Sequence, residues 1–325
     1  MERLKVLVTG GAGYLGCVLV AALLERGHRV RVLDSLLYGG SSLLNVWSHP
    51  QFEFIRGDVC DGKCLQSSLN DIEAVVHLAA VVGDLACTHQ PELARSVNLD
   101  ASVALLSESR KAGVSRFVFA STCSNYGKMK NPSQYVDETS ALKPLSLYAE
   151  TKVVAERAIL DSAGRNALCT TSLRLATLFG VSPRMRFDLT ANDFTLNMLA
   201  KKRLVVYGEQ FWRPYVHVRD AALAILCVLD TPIEKVKNQV FNVGSTDQNY
   251  QKRHLVELIR PYAPDAVVEY VHKEEDPRDY RVSFAKIKGV LGFEITRTVS
   301  DGICEIIGLI NNKVIQDFED TRYHN

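Results

Sequence analysis

Tyr148 and Lys152 stand four residues apart in Ser146-Leu147-Tyr148-Ala149-Glu150-Thr151-Lys152, a stretch that reads as helix. That spacing puts both side chains on one helical face. An ammonium beside a phenol favours the phenolate, so the pair is expected to lower the tyrosine pKa. A tyrosine tuned in this way takes a proton from an alcohol while hydride leaves the same carbon. Far upstream, Thr9-Gly10-Gly11-Ala12-Gly13-Tyr14-Leu15-Gly16 follows a short apolar strand and makes a phosphate-binding turn. Together the two motifs point to alcohol–ketone redox on a nicotinamide.

Gly10, Gly13 and Gly16 are spaced three and three. Such a string alone is weak evidence, because many glycine turns are only turns. Its place between strand and helix raises it. The glycines let the backbone approach a pyrophosphate at the positive end of the following helix, which Tyr14 and Leu15 open. Asp34 closes the second strand, 18 residues after Gly16. A carboxylate there binds both hydroxyls of an adenosine ribose and repels a 2′-phosphate, which favours NAD over NADP. Arg29 and Arg31 precede it and weaken that preference a little. Asp58, in Arg56-Gly57-Asp58-Val59, is placed to receive an adenine amino group, with Val59 beside it. A plain turn aspartate is the competing reading.

The elements that must position these groups alternate. Apolar runs at 5–8, 29–34, 52–58, 74–80, 117–121 and 170–175 read as strands. Helical patterns, among them 14–26, 101–112 and 148–163, separate most of them. This order predicts an α/β fold: a Rossmann-type doubly wound parallel sheet with a smaller C-terminal substrate-binding lobe. After about Gly180 charged, proline-containing stretches interrupt the pattern. Residues 1–180, with 214–247 rejoining the sheet, are expected to form the dinucleotide domain. Residues 181–213 and 248–325 are expected to form the lobe.

Composition excludes several classes. The 325 residues are 47% apolar and 23% charged with a formal net charge of +1, so no bulk attraction to nucleic acid or an anionic membrane is expected. No apolar run approaches the ~20 residues of a membrane span. The first residues pass straight into a strand and leave no room for a signal peptide, so a cytoplasmic protein is expected. The eight cysteines read as reduced, mostly core residues. Cys60 and Cys64 lack a matching Cys/His pair, so no metal is expected.

These residues resemble the extended short-chain dehydrogenase/reductase family, in its NAD-dependent nucleotide-sugar epimerase/dehydratase branch. The resemblance rests on Thr9 to Gly16; Asp34 through Gly39; Gly57-Asp58; His77-Leu78-Ala79-Ala80; Asn98; Ser121-Thr122-Cys123-Ser124-Asn125-Tyr126-Gly127; Tyr148 with Lys152; and Arg213-Pro214-Tyr215-Val216-His217-Val218-Arg219-Asp220. It implies NAD as cofactor and a nucleotide-diphosphate sugar as substrate. Tyr148 becomes the general base, Thr122 its hydroxyl partner, and Lys152 the ligand of the nicotinamide ribose. Leu78, Ala79 and Ala80 border the cofactor. Ser124, Asn125, Thr177, Arg186 and Asn192 fall on the sugar side, and Arg213 binds the diphosphate. Arg278 or Arg281 would add a second clamp, with a solvated surface arginine as the alternative. Tyr207 would flank the base unless it is a core tyrosine. His217 is expected to be structural. The family also implies a homodimer through the Tyr148 helix and the 102–112 helix.

Two departures narrow the chemistry. Family 4,6-dehydratases carry Asp-Glu where Cys123 and Ser124 stand, and decarboxylases generally have glutamate at the Ser124 position. A thiol and a hydroxyl are poor substitutes for that acid–base pair. Thr177 stands where the family often has asparagine. Cys123 is either a proton-transfer thiol or a compact core residue. The expected activity is epimerisation through transient oxidation at C4 of the sugar. A dehydrogenase or ketoreductase is the alternative; a 4,6-dehydratase or a non-catalytic NAD-binding protein stands further off.

Overall fold

The computed structural model describes residues 3–129, 131, 134–161, 168–273 and 278–325. The charged stretch 274–277 and the expected helix end at 163 lie outside them. Twelve strands follow in order: β1 (Lys5–Thr9), β2 (Arg29–Asp34), β3 (Phe52–Arg56), β4 (Ala74–His77), β5 (Arg116–Thr122) and β6 (Cys169–Leu175). Then come β7 (Thr177–Phe179), β8 (Arg203–Tyr207), β9 (Trp212–His217), β10 (Gln239–Val243), β11 (Asn249–Gln251) and β12 (Val267–Val271).

Seven of them form one parallel sheet, ordered β10-β6-β5-β4-β1-β2-β3. The order reverses between β1 and β4, and ligands bind beyond the strand ends at such a switch point. Alternate residues of each strand feed opposite faces. Val6 and Val8 pack with Leu19 and Leu23 of the helix Gly16–Glu25 and with Ile225 of the helix Val218–Asp230. Leu7 joins Phe117, Leu105 of the helix Ala101–Lys111 and Ile159 of the helix Leu147–Asp161. Burying such a side chain stabilises the fold by about 1.5–3 kcal/mol, so two covered faces account for continuous apolar strands.

One expectation needs correction. The strand around Val216 does not rejoin the large sheet. Instead β9 lies between β7 and antiparallel β11 in a three-stranded sheet. The outer edge of β6 is already occupied by β10, which leaves β9 no place there. Strands β8 and β12 form a separate parallel pair. Phe179, Phe194, Tyr215, Leu255 and Ile303 make the core beneath these smaller sheets. His217 closes β9 structurally: its Nε2 meets Glu305 Oε2 at 3.0 Å, and its Nδ1 accepts Arg219 N–H at the next helix start.

The glycine turn is held tightly. Gly10 has φ +74°, and a Cβ on Gly16 would lie 2.1 Å from the Gly10 oxygen. His77 braces the turn from below, with Nδ1 at 2.7 Å from Thr9 Oγ1 and Nε2 at 2.8 Å from Ser102 Oγ. Burial, with Lys152 nearby, pushes His77 down to about 3, so it acts as a neutral ring linking β1, β4 and a helix. Among the described residues no helix is long and apolar enough to cross a membrane.

Candidate active site

The switch point gathers the expected cofactor residues. Asp34 ends β2 with Oδ2 accepting the Ala12 N–H at 2.9 Å and Oδ1 accepting that of Leu36 at 2.8 Å. Burial raises its pKa, against the pull of those two amides. Each carboxylate oxygen keeps a second lone-pair site for a ribose hydroxyl. Arg31 is turned away: it holds Glu53 at 2.7 Å and the Ser68 and Asn70 carbonyls, and Arg29 also approaches Glu53. The two arginines therefore do not offset the Asp34 preference in the way their sequence position suggested. Asp58 Oδ1 accepts the Cys60 N–H at 2.8 Å, a turn contact, and Val59 is buried beside it. Leu78, Ala79 and Ala80 follow β4 partly buried. Ala79 N–H reaches Thr9 Oγ1 at 3.4 Å, and Asn98 grips Val81 N–H and C=O at 2.8 and 3.0 Å. A glycine turn, a carboxylate at the end of β2 and a buried lysine fit NAD.

Lys152 is 2% exposed; its Nζ donates to the Ala120 carbonyl at 2.9 Å and lies 4.7 Å from the Phe119 ring centre. Burial lowers its pKa to about 8. Its remaining N–H groups suit a ribose hydroxyl. Tyr148 is partly buried in the first turn of the same helix. Its pKa runs opposite to expectation: burial raises it, and Cys87 and Asp84 add to the rise while Arg186 opposes it. The physical reason is that desolvation of the phenolate dominates.

Thr122 Oγ1, at the end of β5, accepts the Ser124 N–H at 3.1 Å. Ser124 Oγ receives the Tyr280 hydroxyl at 3.4 Å. Asn125 is fully buried; its Nδ2 donates to Ser121 Oγ at 3.1 Å, and its Oδ1 has no hydrogen-bond partner among the described residues. Cys123 corrects the catalytic reading. Its Sγ donates to the Arg174 carbonyl at 3.2 Å inside the core, and burial pushes the thiol far above its ordinary pKa.

On the opposite wall, Arg213 is buried, donates to the Trp212 carbonyl at 2.8 Å and faces the Tyr280 ring at 5.7 Å. Arg278 is more exposed and reaches Asp84 at 3.2 Å. Arg281 instead packs on the Trp212 and Tyr135 rings. The Arg186 fork is taken by Asp188, with Nε to Oδ1 at 3.0 Å. Thr177 is partly buried in β7 opposite Tyr215. Asn192 proves to be a brace, since its amide is used up by Gly180 N–H, the Arg186 carbonyl and Tyr14 Oη. Tyr207 is exposed on the outer strand pair with Lys273 over its ring, so it is no core tyrosine.

Asp84, Cys87 and Tyr280 escaped the sequence reading, yet all three act electrostatically on Tyr148. For Asp84 and Cys87 a signal existed, because they follow the carboxyl end of β4. Tyr280 gave none, since its contacts reach Ser124 and Arg213, far away in the sequence.

The doubly wound sheet, the turn and the Tyr148–Lys152 face define a nicotinamide-dependent enzyme of the tyrosine–lysine type. The chain belongs to the NAD-dependent epimerase/dehydratase family, whose model matches residues 6–244. It is similar to a UDP-glucose 4-epimerase of Corynebacterium glutamicum, 29% identical over 89% of this chain and 90% of that protein. It is also similar to UDP-glucuronic acid decarboxylase 1 of Arabidopsis thaliana, 26% identical over 98% of this chain and 72% of the relative. A crystal structure of the dTDP-glucose 4,6-dehydratase DesIV of Streptomyces venezuelae, with NAD bound, superposes with TM-score 0.85 at 26% identity, covering 95% of this chain and 98% of that one. The protein is thus an NAD-dependent nucleotide-sugar enzyme of this family.

Proposed function

We propose that the protein is an epimerase that transiently oxidises a ring hydroxyl, at C4, of a nucleotide-diphosphate sugar. Tyr148 takes the hydroxyl proton, the Thr122 hydroxyl orients the reacting oxygen, and Lys152 holds the nicotinamide ribose. NAD, when bound, accepts the hydride and returns it. The ketosugar turns over in the pocket between the two transfers, and Tyr148 gives its proton back. Gly10, Gly13, Tyr14, Leu15, Asp34 and the segment after β4 hold the dinucleotide. Arg213 and Arg278 take the diphosphate, Arg278 while still paired with Asp84.

The observation that carries this reading over its relatives' other chemistries is the absence of a carboxylate at 123 and 124. Cys123 is sealed in the core. Asp84, a carboxylate acting on Tyr148, is paired with Arg278. In this reading residues 1–180 with β10 form the cofactor domain, and 181–213 with 248–325 form the sugar lobe. The helices Ala101–Lys111 and Leu147–Asp161 pack together and leave Val103 and Val154 exposed, which suits a two-fold helical dimer.

The test is incubation with UDP-glucose and dTDP-glucose without added cofactor turnover. An epimerase interconverts the sugar with no net absorbance change in the nicotinamide band. Stoichiometric absorbance growth would assign a dehydrogenase, and no turnover of either sugar by NAD-loaded protein would defeat the proposal. A monomeric mass in light scattering at micromolar concentration would refute the dimer.

A further inference from the structure

Two loops flank the glycine turn from opposite sides, and both are tied to it. On one side Asp34 accepts the Ala12 N–H, and Ser42 Oγ donates to the Ala12 carbonyl at 2.8 Å. Between them the chain makes a tight turn at Leu36, φ +62°, closed by Gly39 N–H on the Leu36 carbonyl, and presents Tyr38. On the other side the Tyr14 hydroxyl donates to the Gly180 carbonyl at 2.6 Å. Ser182 Oγ donates to the Tyr14 carbonyl at 2.7 Å and meets Cys17 Sγ at 3.2 Å.

Arg184 joins the two loops. Its guanidinium carbon lies 4.0 Å from the Tyr38 ring centre, and the side chain is only 5% exposed. Its Nη2 donates to the His324 carbonyl at 3.2 Å and to Asn325 Oδ1 at 2.6 Å. The segment bearing those acceptors is itself docked: Phe187 N–H bonds the Tyr323 carbonyl, and the Phe187 ring packs edge-on against Phe318 and Tyr323. Arg184 Nε has no hydrogen-bond partner among the described residues. A buried cation held by neutral acceptors and an aromatic face therefore sits beside a turn built for an anionic pyrophosphate.

We infer that Arg184 is a cofactor-positioning residue: clasping Tyr38 while anchored by the 324–325 segment, it closes a collar across the glycine turn and sets how fast the dinucleotide leaves. Planar stacking requires the guanidinium, since an ammonium is a compact, strongly hydrated charge. The collar has a use in any reaction in which one NAD must stay bound between two hydride transfers. The inference itself needs only NAD binding, so it stands or falls separately from the sugar reaction.

The experiment measures the NAD dissociation constant and the off-rate for Arg184→Met, Arg184→Lys, Tyr38→Leu and the Arg184→Met/Tyr38→Leu double variant, with melting temperatures alongside. Losing a desolvated cation–π contact and a nearby charge is expected to weaken NAD about tenfold in Arg184→Met. Arg184→Lys should fall between it and the parent. The double variant should be no worse than the poorer single one, because both remove the same clasp. A fall in melting temperature with NAD affinity and off-rate unchanged would show a purely structural arginine and overturn the inference. Should Arg184→Met fail to fold, Tyr38→Leu, on a partly exposed loop, carries the same readout.

Discussion

Lys152 Nζ sits 2.9 Å from the main-chain oxygen of Ala120, two residues before Thr122 on the same strand. The contact pins the helix bearing Tyr148 to the strand bearing Thr122. The register between Tyr148 and Thr122 is thereby tied by a buried, charge-assisted bond, a strong kind of hydrogen bond.

Replacing Tyr148 by Phe removes one hydroxyl and keeps the ring. Loss of a general base typically costs about 10²–10⁴ in rate. Steady-state assays should show kcat down by that order while titration shows NAD binding retained. Turnover near the parent rate would rule out Tyr148 as the base.

Lys152 titrates near pH 8, below its ordinary 10.5, because of burial. Between those values the unfolded chain binds a proton that the folded one does not, so this residue's contribution to stability rises with pH across that window. The ammonium that would hold the ribose is lost over the same range. NAD affinity should therefore decline as pH passes 8, and Lys152→Met should flatten that decline. An identical pH profile for the two proteins would refute the role.

Glu305 is lifted by burial, but His217, the Val181 amide and Arg297 outweigh this and hold it at about 2, against 4.5 ordinarily. A depressed carboxylate stabilises fully above its unfolded pKa and stops doing so as pH falls through the folded one. Glu305→Gln should lower the midpoint of urea unfolding at pH 7. The gap to the parent should narrow between pH 4.5 and 2. A gap independent of pH would mean that the carboxylate charge is not what stabilises.

Gly16→Ala forces a Cβ to within 2.1 Å of the Gly10 oxygen, which is backbone and cannot step aside cheaply. Overpacking of this kind costs about 1–3 kcal/mol, and it opens the turn proposed to meet the pyrophosphate. Thermal melts should shift down, and NAD titration should show loss of binding. Parent-like affinity would mean that the turn tolerates a side chain.

Cys123→Ala tests the core assignment. Removing the sulfur should destabilise by about 1 kcal/mol, the typical cost of a single substitution, while turnover stays within a few-fold. A collapse of kcat with an unchanged melting curve would restore the thiol to the chemistry.

Much of this arrangement could be read from residue order. The strands of the large sheet are short apolar runs bounded by glycine or charge, and the turn and the Tyr148–Lys152 pair are local in sequence. Local patterns also gave His217 its structural place. What escaped depends on contacts between distant segments. That β9 turns aside follows from β10 taking the β6 edge, which no pattern inside β9 reveals. Tyr148 is raised rather than lowered because burial outweighs a neighbour, and burial is a property of the assembled fold. Asn192 has a polar side chain, but only the packed chain shows its amide already satisfied.

The parallel pairing of β10 with β6 has a practical corollary. The strand that finishes the large sheet comes from residues 239–243, after the excursion through the smaller sheets. A fragment stopped near residue 180 would carry β6 with a bare row of amides and carbonyls, a template for association with other chains. The large sheet therefore cannot be produced whole by truncation at that point. Replacing the smaller sheets on this scaffold would have to be done by exchanging internal segments.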